Sequence, residues 1–182
     1  FTAAYFDHEG LYCFARQPEA LHWNLAQLAS ALRLISDSEP LVATLEGFPK
    51  AYGTAFTEHF CWRLGIESEG FESDRDLVVA AEKGLAEKTV QIDRFFFDWG
   101  KTANLASPDD NSPEFSEFRA LIAGRTRTRK PVSGYWQKPE PCSMHIEEVE
   151  AIWTAIAEDD DWTILSQKII DIRDMGSALR NG

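Results

Sequence analysis

His145 and Glu148 stand three residues apart in a segment with helical spacing. A helix would carry both on one face, where an imidazole and a carboxylate can share a transition metal. Asp7-His8-Glu9 is a second cluster of metal-ligating residue types. A metal-dependent hydrolase would need two further ligands at defined places, and no spacing joins the two clusters, so a solvated helix face is the plainer reading. Cys142 follows Pro141 just ahead of a helix start, a position that lowers a thiol pKa, but nucleophilic chemistry would also require a base that the sequence does not identify. Arg125-Thr126-Arg127-Thr128-Arg129-Lys130 concentrates positive charge. Its Arg125, Arg127, Arg129 and Lys130 are candidate contacts for a phosphate or an acidic partner, because guanidinium forks chelate oxyanions. The alternative is a solvated loop paired with nearby carboxylates. Glu158-Asp159-Asp160-Asp161 is similar to a calcium loop only in charge, since it lacks alternating ligands and a central glycine. His22 and His59 lie on or beside apolar helical faces and read as core-edge residues. No Gly-rich phosphate loop and no G-x-S-x-G occurs. The expectation is therefore that this chain carries no catalytic, cofactor-binding or metal-binding residue.

Helices must position whatever these residues do, because almost nothing apolar alternates with the period of two that a half-buried strand requires. From Pro18, Leu21, Leu25, Leu28, Leu32 and Ile35 recur at spacings of three and four. A second helical segment starts near Pro40, is interrupted at Gly47 to Pro49, and resumes with Tyr52, Phe56, Phe60 and Leu64 before a stop at Gly65. Ser73 is expected to cap a third helix through Leu77, Ala80, Ala81, Leu85, Val90 and Ile92, ending in Phe95-Phe96-Phe97-Asp98-Trp99. Successive helix residues point about 100° apart, so these phenylalanines cannot all face one core. Ser112-Pro113 opens a short helix through Phe115, Phe118, Leu121 and Ile122; Ser143 reads as a cap for Val149, Ile152, Trp153 and Ile156; a last helix follows Trp162. The stretch near 124–142 is one long irregular loop. The expected architecture is all-α, a single helical domain over 1–182 of about six helices.

Charge narrows the function classes. Lys and Arg number 18 against 30 Asp and Glu, for a net charge of −12, so a phosphate backbone would repel most of the surface and no nucleic-acid partner is expected. An anionic membrane is disfavoured in the same way. No window approaches the ~20 consecutive apolar residues of a membrane span. Cys13, Cys61 and Cys142 form no C-x-x-C, which makes a reducing, cytoplasmic location the expectation.

The opening run Asp7-His8-Glu9-Gly10-Leu11-Tyr12-Cys13-Phe14-Ala15-Arg16-Gln17-Pro18, continued by Trp23-Asn24-Leu25 and Leu28-Ala29, resembles a signature of the selenoprotein O family, also called the YdiU family. Leu11 stands where an arginine is usual, and Arg16 where asparagine is common. The resemblance implies a kinase-like protein that transfers AMP from ATP to Ser, Thr or Tyr of proteins, with ATP and Mg or Mn as cofactors of the parent. It also implies that the catalytic apparatus lies N-terminal to this signature, making the chain the C-terminal helical portion of a longer protein, structural and non-catalytic by itself. The family's terminal cysteine or selenocysteine motif has no counterpart in Ser177 to Gly182. Asp7, Gly10, Tyr12, Phe14, Gln17, Pro18, Trp23 and Asn24 match the signature, with a structural role implied. The partners implied are the N-terminal kinase-like region of the same polypeptide and the parent's protein substrates. The alternative reading is a stand-alone all-α interaction module with an exposed aromatic groove and the basic 125–130 loop as its binding elements.

Overall fold

The computed structural model describes residues 16–101, 113–132 and 134–180. Asp7, His8, Glu9, Gly10, Tyr12, Cys13 and Phe14 lie outside them. Seven α-helices occur among the described residues: α1 (Gln17–Leu32), α2 (Ser38–Leu64), α3 (Phe71–Ala86), α4 (Ile92–Lys101), α5 (Ser116–Ile122), α6 (Ile146–Asp159) and α7 (Thr163–Arg180). The all-α expectation is met, with one more helix than anticipated. Packing divides the chain into two compact units, Phe1–Phe56 and Thr57–Gly182.

In the first unit, α1 meets the first half of α2. His22 stacks on Phe48 at 5.2 Å between ring centroids, and Phe48, Tyr52 and Phe56 continue the ladder at four-residue spacing along α2. The expected interruption at Gly47 to Pro49 does not occur; Pro49 sits inside an unbroken helix of 27 residues. Proline removes one backbone donor from a helix interior, and the buried residues of α2, Thr57, Phe60, Cys61 and Leu64, all lie C-terminal to it. No residue of α1 is buried. Leu28 and Trp23 are exposed, and an open cleft of about 480 Å³ runs between Leu25, Leu32, Leu41, Leu45 and Phe48.

The second unit holds the core. Phe95 on α4 is the hub of one cluster, with ring contacts to Phe60 from α2, Trp99, Phe115 just ahead of α5 and Phe118 on it. Leu77, Ala80 and Ala81 of α3 close it. Phe97 turns the other way, into a second cluster with Tyr135, Trp136, Ala178 and Leu179. Two steps of about 100° thus send Phe95 and Phe97 to different cores, while Phe96 packs against the first. The helix expected from Ser73 into the Phe95 to Trp99 run ends instead at Ala86, Lys88 takes a left-handed φ of 57°, and α4 carries the aromatic run. Ser73 is not its cap: α3 starts after Gly70, whose φ is 98°. Ser143 likewise yields to His145 as the residue preceding α6.

Part of the expected irregular loop is ordered by pairing. Glu67 N–H donates to Thr126 O at 2.9 Å and Thr128 N–H to Gly65 O at 3.0 Å, forming an antiparallel bridge between Ile66 and Arg127. The segment from Arg125 to Arg129 is therefore extended, and alternate side chains share a face.

Candidate functional site

Extended backbone places Arg125, Arg127 and Arg129 on one side, and that side faces inward. Arg125 and Arg129 are buried, whereas Lys130 is exposed. Arg125 Nη1 donates to Asp74 Oδ1 at 2.6 Å, and Nη2 reaches Ser73 O and Oγ at 3.0 and 2.9 Å. Arg127 donates to Leu64 O at 2.8 Å and Trp99 O at 2.6 Å. Arg129 donates to Arg63 O at 2.8 Å and Leu179 O at 3.0 Å, with a longer bond to Trp62 O. The last carbonyls of a helix have no partner within it, and they carry the negative end of the helix dipole. Two guanidiniums therefore collect the C-terminal ends of α2, α4 and α7 at one point. Arg129 also lies 5.2 Å from the Trp136 ring centroid.

The electrostatics follow from this placement. Burial pushes the Arg129 guanidinium down to about 10, with Arg127 and Arg63 adding like-charge repulsion, and its Nε is buried without an acceptor. It still carries its charge at neutral pH. Burial also lowers Arg127. For Asp74, burial opposes ionisation. Hydrogen bonds from Ser68 at 2.5 Å, Arg125, the Glu69 N–H and Cys61 outweigh it and hold the carboxyl below its ordinary range. Asp74 also lies in the first turn of α3, where the dipole favours an anion. Cys61, buried beside this carboxylate, has its thiol pushed up to about 12, chiefly by burial. Burial likewise raises Cys142. Neither thiol has the lowered pKa of a reactive cysteine.

The other sequence candidates fall in separate places. Glu148 accepts a 2.6 Å bond from Lys168, which also donates to Ser143 O at 2.7 Å, so the carboxylate of the His145–Glu148 pair has an internal partner. Among the described residues no group of three His, Cys, Asp or Glu could hold a metal ion. The guanidiniums suited to phosphate are directed at internal acceptors. ATP and its metal therefore have no fitting set of ligands among the described residues. Asp161 accepts from Thr163 N–H at the start of α7, and the acidic tetrad connects α6 to α7. Gln17, Trp23 and Asn24 are exposed on α1, with Pro18 half-buried in its first turn. No helix among the described residues is long and apolar enough to cross a membrane. The signal missed in the sequence is the R-x-R-x-R spacing itself, a period-two pattern written in charge rather than in apolar residues.

Fold and site together define an all-α protein whose buried arginines lock helix ends. A family model described as Protein adenylyltransferase SelO matches residues 1–173, and the chain belongs to that family. The chain is 28% identical over 183 residues to the Protein nucleotidyltransferase YdiU of Synechocystis sp., covering 89% of this chain and 38% of the relative. It is 32% identical over 139 residues to the YdiU of Myxococcus xanthus, covering 74% of this chain and 28% of that protein, and 31% identical over 110 residues to that of Trichormus variabilis, covering 60% and 23%. The chain thus spans less than half the length of these curated relatives. No solved structure matches it.

Proposed function

We propose that this chain is the helical, non-catalytic region of a cytoplasmic protein adenylyltransferase that moves AMP from ATP, with Mg or Mn, to Ser, Thr or Tyr of protein substrates. In this reading its helices complete and stabilise a kinase-like lobe formed with the N-terminal region of the same polypeptide. The observation that carries the reading is the family match over residues 1–173. The commitment of Arg125, Arg127 and Arg129 to Asp74 and helix carbonyls supports the structural half of it. The 182-residue chain is expected to retain no ATP in equilibrium dialysis with Mg or Mn and to label no protein with AMP. Labelling by the chain alone would overturn the non-catalytic role. A longer, folded gene product containing the chain is expected to label proteins, and its failure to do so would overturn the adenylyl-transfer assignment.

A further inference from the structure

Helix α6 buries one residue, Ile152. Beside it Ile146, Val149 and Trp153 recur at spacings of three and four and form a stripe on one flank, with exposures of 56%, 42% and 68%. A tryptophan left two-thirds in solvent at the end of an apolar stripe marks a surface that is completed by something else. The charge around it selects the occupant. From Ile146 to Trp162 there is no lysine or arginine, while carboxylates stand at 147, 148, 150 and 158–161. Glu148 is paired with Lys168; Glu147, Glu150 and Glu158 have no ion pair among the described residues. A second copy would bring the same carboxylates against themselves in a chain of net charge −12, and an anionic bilayer would be repelled as well. What complements both the stripe and its rim is a helix with one apolar face and lysines or arginines along its border.

We propose that the Ile146–Val149–Trp153 flank of α6 docks a basic amphipathic segment of a partner protein, the apolar side covering Trp153 and the cations meeting Glu147, Glu150 and Glu158. This surface is separate from the buried arginine network, and the proposal stands whether or not the adenylyl-transfer reading holds.

The test titrates the full chain with a synthetic Leu/Lys peptide of helical periodicity and with a scrambled peptide of identical composition, following the indole N–H resonance of Trp153. The periodic peptide is expected to shift that resonance and to bind about tenfold more tightly than the scrambled one, a margin typical of one well-covered aromatic anchor. Trp153→Ala should erase that margin. Glu147→Gln/Glu150→Gln/Glu158→Gln, at exposed positions that keep the fold, should abolish the loss of affinity with added salt. Equal binding of the two peptides, or binding unchanged by both variants, overturns the proposal. So does a concentration-dependent dimer with Trp153 in its interface, which would assign the face to a second copy.

Discussion

Arg125 Nη1 and Asp74 Oδ1 meet at 2.6 Å with 3% and 0% of their side chains exposed, joining the segment that follows α5 to the first turn of α3. A buried pair of this kind is weak evidence of net stabilisation, because desolvating both ions offsets much of their attraction. Its strength lies in what happens when one partner is removed.

Arg125→Ala is expected to destabilise the chain by about 3–5 kcal/mol, since it leaves the Asp74 carboxylate buried without its cation. Arg125→Lys should recover part of that loss but not all, because an ammonium cannot reach Asp74 and Ser73 with one planar fork. Urea midpoints of the two variants provide the check. Equal midpoints for Arg125→Ala and the unaltered chain would contradict the structure.

Asp74 also sets an acid limit. Its carboxyl is held below the ordinary range in the fold, so its contribution is fully present above the unfolded value of about 3.9 and fades as the pH falls through the lower folded value. Unfolding free energy measured from pH 6 down to pH 2 should decline over that window. The decline should be shallower in Asp74→Asn, which starts from a lower stability.

Replacing Arg129 with methionine keeps much of the side chain's bulk but strips the donors from the carbonyls of Trp62, Arg63 and Leu179. A loss of about 1–3 kcal/mol is expected, the range for leaving buried polar groups unsatisfied. Hydrogen exchange should quicken at the C-terminal turns of α2 and α7 while α5, which Arg129 does not touch through these bonds, keeps its protection.

Two glycines should respond with opposite signs to alanine. A Cβ at Gly84 would lie 2.3 Å from Phe115 Cε1, and the core cannot shift that ring freely, so Gly84→Ala should cost about 1–3 kcal/mol. Gly47 lies within α2, and a methyl group added there would meet no atom within 4 Å, so Gly47→Ala should stabilise by about 0.5–1 kcal/mol. Thermal midpoints that move in the same direction would be inconsistent with this packing.

Cys61 should resist alkylation while the chain is folded. With its pKa pushed up to about 12, only on the order of one thiol in ten thousand is ionised at pH 8, and the thiolate is the reacting form. Peptide mapping after iodoacetamide should find Cys61 unmodified in the native chain and modified in guanidinium.

Local patterns carry a good part of this fold. Leucines at spacings of three and four place α1, and the Phe95 to Trp99 run is recognisably too aromatic for one face. Boundaries are less legible. Ser73 has the side chain of a cap, yet Gly70 with its left-handed backbone starts α3 and frees the first turn to present Asp74 to Arg125. Pro49 reads as an interruption because its missing donor is a local property, yet α2 runs unbroken through it to the buried Thr57, Phe60, Cys61 and Leu64.

The amino-acid order by itself determined the all-α class, the net negative charge and the family, because these depend on periodicity, residue counts and residues at fixed separations. Only the tertiary structure decided what the basic segment does. Arg125, Arg127 and Arg129 have residue types that suit a phosphate. Their acceptors are Asp74, 51 residues away in the chain, and carbonyls of α2, α4 and α7 as distant as Trp62 at 67 and Leu179 at 50 residues. A charge has no direction until the backbone around it is folded; here pairing with residues 65–67 turned three guanidiniums inward, where helix ends lacking partners were waiting.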